Sequence, residues 1–361
     1  MKGMSAMITP NGDQIGAYEA AGLVTVREHK DLPLRIVNYT PRVQYERCWT
    51  AELLQCRGLV VDADWNVVAR PLPKFFNYEE HLGENAPAGP LPEGPYTVTE
   101  KYDGSLGIVF RWNGHLVVAT RGSFHSDQAR MGLELLHARY DADSLGVIQE
   151  GVTHLFEIIH PENRIVVDYG GERYMQWLTS VRVSDGVEQP QYGAVFGHPE
   201  SYPPLPPMDL KRQGRPNAEG YVLRFSTGQR VKIKFDQYVE LHRLVTGLDS
   251  VAIWECLCSG KNPLEALTNL PDELYAWAQE ETDKLHKQHA QWMEAVQAKC
   301  EAIVTALPEP TSRRDFAMVA KNNKYPHLLF IALDKNMARL SDAIWKEIKP
   351  ERRKPVTGTE C

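Results

Sequence analysis

The chain lacks the sequence features of secreted proteins, membrane-spanning proteins and proteins with a structural zinc site. Its six cysteines are scattered without a paired framework, and the close pair Cys256 and Cys258 lacks the second pair that a zinc site needs. No apolar run approaches the roughly eighteen residues of a membrane span, and the first residues contain no apolar signal segment. These absences predict a soluble cytoplasmic protein with reduced thiols.

An excess of positive charge is also missing. The formal net charge of the 361-residue chain is −7, which argues against a protein that coats nucleic acid without regard to sequence. A local basic groove stays compatible with this value, because phosphate binding depends on where lysine and arginine lie. A phosphate-loop NTPase is excluded, because the segment around Lys261 lacks the upstream glycine spacing and the hydroxyl residue after the lysine.

Residue periodicity predicts two parts, divided at about residue 245. Alternating apolar residues predict strands at Leu34–Tyr39, Leu59–Asp62, Tyr96–Lys101, Leu106–Phe110, Leu116–Thr120, Leu155–Ile159, Tyr221–Phe225 and Arg230–Phe235. Helices are predicted at Tyr45–Gln55 and Asp127–Tyr140, and a long helix from Pro271 to about Leu307. We therefore predict an α+β domain over residues 1–245, built on an antiparallel sheet, and a smaller all-helical domain over residues 246–361.

One lysine stands where a predicted strand runs into a tight turn. The strand ends at Lys101, Asp103 and Gly104 signal a turn, and a second strand follows. A lysine at such a place is displayed at a cleft, and its amine becomes nucleophilic when cations or desolvation lower its pKa. A solvated lysine beside a turn gives the same pattern and is the commoner case. The segment alone therefore does not define a site.

A second predicted hairpin concentrates charge on one strand face. Alternate residues of a strand share a face, so Lys232 and Lys234 lie side by side and repel each other unless an anion lies between them. The preceding strand should pair so that Tyr221 lies opposite Lys234, with Glu219 just beyond. This arrangement fits a solvated edge with a surface salt bridge. It fits equally a metal-binding carboxylate beside phosphate-binding lysines.

Other charged residues stand inside or beside apolar runs. Glu157 lies in the middle of an apolar strand, where burial of an unpaired carboxylate is costly, so it needs a partner, whether structural or functional. Arg57 and Lys74 lie next to glycine or aromatic residues rather than in a run of charges. That setting suits contacts with a triphosphate and ordinary surface cations alike.

Taken in their order along the chain, four of these segments resemble motifs of the covalent nucleotidyltransferases, which include polynucleotide ligases and mRNA capping enzymes. The matching runs are Lys101-Tyr102-Asp103-Gly104-Ser105, Phe156-Glu157-Ile158, Glu219-Gly220-Tyr221-Val222 and Lys232-Ile233-Lys234. Runs that begin at Arg57, Lys74, Thr120 and Pro161 resemble, more narrowly, the phage T4 RNA ligase 1 family of ATP-dependent RNA ligases. The resemblance spans roughly residues 35 to 245 and implies an ATP-grasp-like, antiparallel-sheet ligase domain.

The resemblance implies that RNA with 5′-phosphate and 3′-hydroxyl ends is joined in three steps. Lys101 would attack the α-phosphate of ATP, AMP would pass from the lysine to the RNA 5′-phosphate, and the 3′-hydroxyl would displace AMP. Lys232 and Lys234 would hold the α-phosphate and keep Lys101 deprotonated enough to attack. Glu219 would position Mg²⁺ or Mn²⁺ through water.

The resemblance also implies nucleotide contacts and a substrate class. Glu157 would contact the ribose, while Arg57 and Lys74 would clamp the β- and γ-phosphates. The other implied ATP-binding residues are Phe76, Asp103, Gly104, Arg121, Gly220 and Tyr238. Arg121 stands where the phage enzyme has lysine, which replaces a point charge by a fork. Nicked tRNA is one implied substrate, RNA repair the implied process, and the resemblance leans towards a phage protein acting in the bacterial cytoplasm.

Two alternative functions share this pattern. A DNA ligase or capping-type nucleotidyltransferase would keep the fold and change the acceptor. Both classes normally carry an OB-type domain, and no such strand pattern follows residue 245. A non-catalytic nucleotide- or RNA-binding module on a ligase fold would have lost motif residues, and all of those named above are present.

Overall fold

The computed structural model describes residues 9–83, 86–163, 165–267 and 272–354. It divides the chain into two compact units, the first reaching Glu240 and the second beginning at Leu241. All strands of the described residues lie in the first unit, and the described residues of the second are helical. Within the described ranges, every helix is too short or too polar to cross a bilayer.

The strands and helices follow one another along the chain with short connections. The strands are β1 (Val24–Glu28), β2 (Leu34–Tyr39), β3 (Arg57–Asp62), β4 (Val67–Ala69), β5 (Phe76–Asn77), β6 (Tyr96–Lys101), β7 (Ser105–Trp112), β8 (His115–Ala119), β9 (Val152–Ile159), β10 (Tyr174–Arg182), β11 (Ser201–Tyr202), β12 (Gly220–Phe225) and β13 (Arg230–Lys234). The helices are α1 (Gly12–Ala20), α2 (Pro41–Glu46), α3 (Ala51–Gln55), α4 (Asp127–Arg139), α5 (Ala142–Gly146), α6 (Gly193–Phe196), α7 (Pro207–Gln213), α8 (Asp236–Gly247), α9 (Ser250–Cys258), α10 (Asp272–Ala306), α11 (Arg313–Ala320), α12 (Pro326–Leu333) and α13 (Met337–Glu347).

The described strands of the first unit form three sheets. Their strand orders are β1-β2-β3-β4, β10-β9-β7-β8 and β11-β6-β12-β13-β5, and the pairs are antiparallel except for the parallel pair of β13 with β5. Strands β7 and β9 are apolar on both faces because each face packs on its own hydrophobic cluster. Leu155 lies in one cluster and Phe156 in the other, and both are fully buried.

Local sequence signals account for most of these elements. All of the predicted strands are present, and the mixed α+β class with antiparallel sheets is confirmed. The single helix predicted at Tyr45–Gln55 is wrong, because the chain forms α2 and α3 there. Arg47 adopts a left-handed conformation that ends α2, and the Thr50 hydroxyl accepts the Leu53 N–H to cap α3.

The second unit packs its helices around its own core. The long helix predicted from Pro271 is present as α10, although Pro271 itself lies outside the described residues. Fully buried side chains from α11, α12 and α13, among them Phe316, Leu328 and Ile344, form this core together with the end of α10. Each helix thus buries one apolar face, which is the main source of stability for helices of this length.

Candidate active site

Three adjacent strands bring two lysines of the site onto one sheet face. Strand β12 lies between β6 and β13, with Gly220 opposite Lys101 on one side and opposite Lys234 on the other. Directly opposite residues of antiparallel strands share a face. The two lysines therefore project from the same face, on either side of a residue that has no side chain.

The fit of β12 against β13 requires glycine at this central position. Gly220 has a φ of +147°, and a Cβ there would lie 1.9 Å from the carbonyl oxygen of Ile233. The predicted hairpin register, with Tyr221 opposite Lys234, is wrong by one residue. The turn is shorter than expected, because the Phe225 N–H bonds to the carbonyl of Gln229, so that Phe225 lies opposite Gln229 instead of Arg230 and each pair of the hairpin is shifted by one residue. A shift of one residue changes which side chains share a face.

A single buried carboxylate holds both lysines. Glu219 is 3% exposed, and its Oε2 lies 2.6 Å from Lys101 Nζ while its Oε1 lies 2.9 Å from Lys234 Nζ. Burial opposes the charge of Glu219, but attraction to the two ammonium groups outweighs burial and lowers the pKa of this carboxyl. The sequence left open whether this would be an exposed salt bridge, and the structure makes it a buried one.

Lys101 is an ammonium ion in this arrangement. Desolvation opposes its charge, yet attraction to Glu219 and Glu157 outweighs desolvation and raises the pKa of the amine. In the protein without nucleotide the pKa of Lys101 is thus raised, and the effect of Lys232 and Lys234 on Lys101 during attack on ATP stays a prediction. The ion pair with Glu219 therefore opposes loss of the Lys101 proton.

Glu157 has the partner that its place in an apolar strand demanded. Its Oε1 accepts the backbone N–H of Gly104 at 3.1 Å, which ties β9 to the turn after Lys101. A Cβ at position 104 would lie 2.4 Å from the carbonyl oxygen of Ile158, so the turn can approach the strand this closely only with glycine. Burial raises the pKa of the Glu157 carboxyl to about 7, although the nearby Lys101 lowers it.

Asp103 and Tyr238 lie beneath the turn rather than on its open side. Both side chains are 3% exposed, and Tyr238 Oη donates to Asp103 Oδ1 at 2.8 Å. The other carboxylate oxygen of Asp103 accepts the N–H groups of Val166 and Val167, at 2.8 and 2.9 Å. These bonds place both residues in the support of the turn, and their contact with a nucleotide stays a prediction.

A group of cations lies next to Lys101 and Lys234. The Lys232 ammonium stands 4.7 Å from the ring centre of Phe75, and the Arg57 guanidinium carbon stands 5.9 Å from the same ring. Burial and then repulsion by Arg57, Lys74, Lys101 and Lys234 hold the pKa of Lys232 well below its usual range. Burial also lowers the pKa of Arg57 and of Lys74.

Phe76 lies beside Lys74, one cation of this group, and its contact with a nucleotide stays a prediction. Its ring is 9% exposed and packs edge-on against the rings of Trp49 and His81. The Lys74 ammonium lies 5.1 Å from the centre of the Phe76 ring, so Phe76 supports Lys74. The preceding Phe75 takes the place among the cations, and a Phe-Phe pair in the sequence gives no signal that distinguishes the two.

Arg121 is exposed and lies at the edge of the same region. Its guanidinium carbon is 5.8 Å from the ring centre of Tyr39, and its charge is close enough to lower the pKa values of Arg57 and Lys74. The structure thus brings together most of the residues predicted for the site. Phe76, Asp103 and Tyr238 are the ones whose side chains are turned to supporting contacts.

The donor set allows one kind of divalent-cation site. No group of three or more histidine, cysteine, aspartate or glutamate side chains suited to a metal occurs among the described residues. Glu219 supplies one carboxylate. The carboxylate of Glu157 is also near, because both attract the Lys101 ammonium. Mg²⁺ is commonly bound by one or two carboxylates together with water and substrate phosphates, and this set fits that pattern.

Comparison with known proteins agrees with these observations. Residues 55–188 match a family profile described as RNA ligase, of the T4 RNA ligase 1 type. The match covers less than half of the chain, and over that segment the chain is similar to RNA ligases of the T4 RNA ligase 1 type. The matched segment begins just before Arg57 and includes Lys101 and Glu157, while Glu219, Lys232 and Lys234 follow it in sequence.

The relatives that the chain matches are distant, and the chain covers only part of each. A protein of Autographa californica nuclear polyhedrosis virus, described as a bifunctional polynucleotide kinase/RNA ligase, is 28% identical over 177 residues, or 44% of this chain and 25% of the relative. An RNA ligase of Rhodothermus phage RM378 is 26% identical over 151 residues, or 32% of this chain and 34% of the relative. The chain thus spans a quarter to a third of these relatives.

A solved RNA ligase from Naegleria gruberi, a mutant with ATP and Mn, is also similar. It matches with 14% identity and a TM-score of 0.35, over 41% of this chain and 51% of that one.

Proposed function

We propose that the chain is an ATP-dependent RNA ligase that acts through a covalent lysyl-AMP intermediate. The observation that carries the proposal is the buried ion-paired group of Lys101, Glu219 and Lys234. Next to this group lie further cations that repel one another. Lys232 is the clearest case, because every charge that acts strongly on it is a cation. A polyanion such as a triphosphate would compensate these charges, whereas water does so poorly at a buried position.

In the first step, Lys101 attacks ATP. A bond forms between Lys101 Nζ, after loss of its proton, and the α-phosphorus, while the bond from that phosphorus to the bridging oxygen breaks and pyrophosphate leaves. Lys232 and Lys234 hold the α-phosphate, and Arg57 and Lys74 hold the β- and γ-phosphates. When Mg²⁺ or Mn²⁺ is bound, it supplies neutralisation of phosphate charge. Release of Glu219 from Lys101 removes the attraction that keeps the amine protonated.

The remaining steps transfer AMP and seal the RNA. An oxygen of the RNA 5′-phosphate displaces Lys101 from the adenylate phosphorus, which returns the lysine as a free amine. The 3′-hydroxyl of the second end then attacks the 5′-phosphate, and AMP leaves. Glu157 contacts the ribose of the nucleotide, Arg121 adds a phosphate contact at the exposed edge, and the Gly104 and Gly220 backbones let the nucleotide approach closely.

The choice of acceptor gives the most direct test of the proposal. Single-stranded RNA with a 5′-phosphate should be joined or circularised at least about tenfold faster than DNA of the same sequence, since a site that bonds a substrate hydroxyl rejects an analogue without it. Gel analysis of labelled strands, with ATP and Mg²⁺ supplied, measures both rates. Equal rates would overturn the choice of RNA as acceptor and favour the DNA ligase alternative. Absence of any AMP uptake by folded protein that binds ATP would indicate the non-catalytic module.

We further propose that residues beyond about 245 form a separate domain that binds the RNA substrate, nicked tRNA included. Residues 313–354 contain eleven lysine and arginine residues and five aspartate and glutamate residues, a formal charge of +6 in a chain of −7. Lys321, Lys324 and Lys335 are exposed, and none forms an ion pair within the described ranges. Such local positive charge is the usual basis of phosphate-backbone binding.

Loss of these three lysines should weaken RNA binding and reduce its salt dependence. Each phosphate contact to a single strand contributes about 0.7 to the slope of log affinity against log salt, so the triple alanine variant should lose about 2 from that slope. Fluorescence anisotropy at several salt concentrations measures it. A matched control removes three lysines from α10, where acidic residues are abundant, namely Lys284, Lys287 and Lys299. An equal change in both variants would show only a general charge effect.

A further inference from the structure

A short loop touches both sides of the candidate active site without belonging to it. Residues 165–170, here called the clasp loop, lie between β9 and β10 in the chain. The loop bonds to the turn that carries Asp103, two residues after Lys101. It also bonds to Asn217, two residues before Glu219. The clasp loop therefore joins the two chain segments whose side chains meet as an ion pair.

Three hydrogen bonds, two to the Asp103 carboxylate and one from the Asp103 backbone, fix the clasp loop to the Lys101 side. The N–H groups of Val166 and Val167 donate to Asp103 Oδ2, and Tyr238 donates to the other carboxylate oxygen. In the opposite direction, the backbone N–H of Asp103 donates to Tyr169 Oη at 2.8 Å. Both the side chain and the backbone of Asp103 are thus held, which leaves the turn little freedom.

Two hydrogen bonds fix the clasp loop to the Glu219 side. Asn217 Oδ1 accepts the Asp168 N–H at 2.6 Å, and Asn217 Nδ2 donates to the Asp168 carbonyl at 2.7 Å. The side-chain amide of Asn217 therefore pairs with the backbone of one residue through both of its polar atoms. Asn217 has a φ of +52°, a left-handed conformation that asparagine tolerates better than most residues.

We propose that Asn217, acting through the clasp loop, is a positioning residue that fixes Glu219 relative to Lys101. This inference rests on the proposed function, because it concerns the geometry of the Lys101 step. Among the described residues, the Asn217 side chain bonds to the backbone of Asp168 and not to Lys101 or Glu219, and it is exposed. Its bonds to the backbone of Asp168 are nevertheless the link that completes a closed path from Lys101 to Glu219.

The expected consequence is kinetic rather than structural. Two surface hydrogen bonds contribute little to folding, about 0.5–1.5 kcal/mol each. A displacement of about 1 Å between reacting groups can slow a reaction by about a hundredfold. Loss of the Asn217 amide should therefore leave the protein folded and slow the attack of Lys101 on ATP.

Substitution of Asn217 by glycine tests this, because glycine keeps the left-handed backbone without strain and removes the amide. The first-order rate constant of lysyl-AMP formation, measured in single turnover with saturating ATP and Mg²⁺, should fall about 10- to 100-fold, with the ATP concentration for half-saturation unchanged. N217D, which keeps the acceptor and loses the donor, should fall less. Partial unfolding would lower the amplitude of the reaction and not this rate constant.

Asn113 supplies a matched control. It is also exposed and left-handed, with a φ of +47°, but it lies in the turn between β7 and β8. N113G should keep the wild-type rate constant. If N217G also keeps it, or if only its ATP affinity changes, the inference is wrong. If the wild-type protein itself forms no lysyl-AMP, the proposed function fails instead, so the two failures are distinguishable.

A double substitution examines the path itself. Y169F removes the acceptor of the Asp103 N–H at the other end of the clasp loop. If the loop acts as one unit, the variant with both N217G and Y169F should be no slower than the slower single variant, because contacts within one network are not additive. Losses that multiply would show that the two residues act independently and would overturn the role of the clasp loop as a connection.

Discussion

Protein in which Lys101 is replaced by alanine should gain no AMP when incubated with ATP and Mg²⁺. The turn presents one lysine, and its amine would form the phosphoramidate bond. Removal of a catalytic nucleophile ordinarily lowers a rate by about a thousandfold or more. Intact mass spectrometry, before and after incubation, measures the gain. In the wild-type protein this gain should disappear when pyrophosphate is added, because the step is reversible.

The arginine variant separates the loss of the nucleophile from the loss of the ion pair. K101A leaves the buried Glu219 with one cationic partner in place of two, which also destabilises the protein. K101R keeps a cation there, but a guanidinium stays protonated and cannot attack phosphorus. Both variants should lack AMP, and K101R should melt closer to the wild type. AMP attached to either variant would show that another residue is the nucleophile.

Replacement of Lys232 by methionine should abolish AMP attachment and yet stabilise the protein. Lys232 is held among cations, and burial and repulsion both oppose its charge. Methionine keeps an apolar stem against Phe75 and removes that cost, so the free energy of unfolding should rise by roughly 1 kcal/mol. Loss of a phosphate ligand should slow lysyl-AMP formation by about 10²- to 10³-fold. Thermal unfolding and single-turnover kinetics measure the two effects.

Lys234 is the matched comparison, because it lies on the same strand face and has the opposite electrostatic setting. Its ammonium is ion-paired with Glu219, so K234M should slow the same step and lower the melting temperature. The two variants should therefore agree in activity and differ in the sign of their effect on stability. A fall in melting temperature for K232M of the same size as for K234M would mean that Lys232 is a structural residue.

Local patterns in the sequence predict much of the sheet framework. Alternation sets the bounds of β2 and β6 to the residue, and it predicts correctly that Lys232 and Lys234 share a face. The register of the hairpin is not predictable in this way, because it depends on the hydrogen bonds of the turn after Phe225. Neither is the break between α2 and α3, where a left-handed Arg47 has no composition signal.

The site is less predictable than the sheets because its contacts join distant segments. The motif residues reveal which side chains are chemical candidates, but not that the Asp103 carboxylate is fully occupied by backbone N–H groups and a tyrosine hydroxyl. Asn217 and Asp168 are 49 residues apart and are exposed, so no periodicity marks them. Only the folded chain shows that they face each other.

The shared carboxylate of Glu219 has a consequence for chemical selectivity. A neutral lysine amine in a cleft would react with any small electrophile that entered, including aldehydes and activated acyl groups. Because Glu219 keeps Lys101 as an ammonium ion, its lone pair is not available to such compounds. The ion pair therefore keeps the Lys101 nitrogen unreactive. We expect the nitrogen to become nucleophilic only when a bound ligand changes the charges around Glu219.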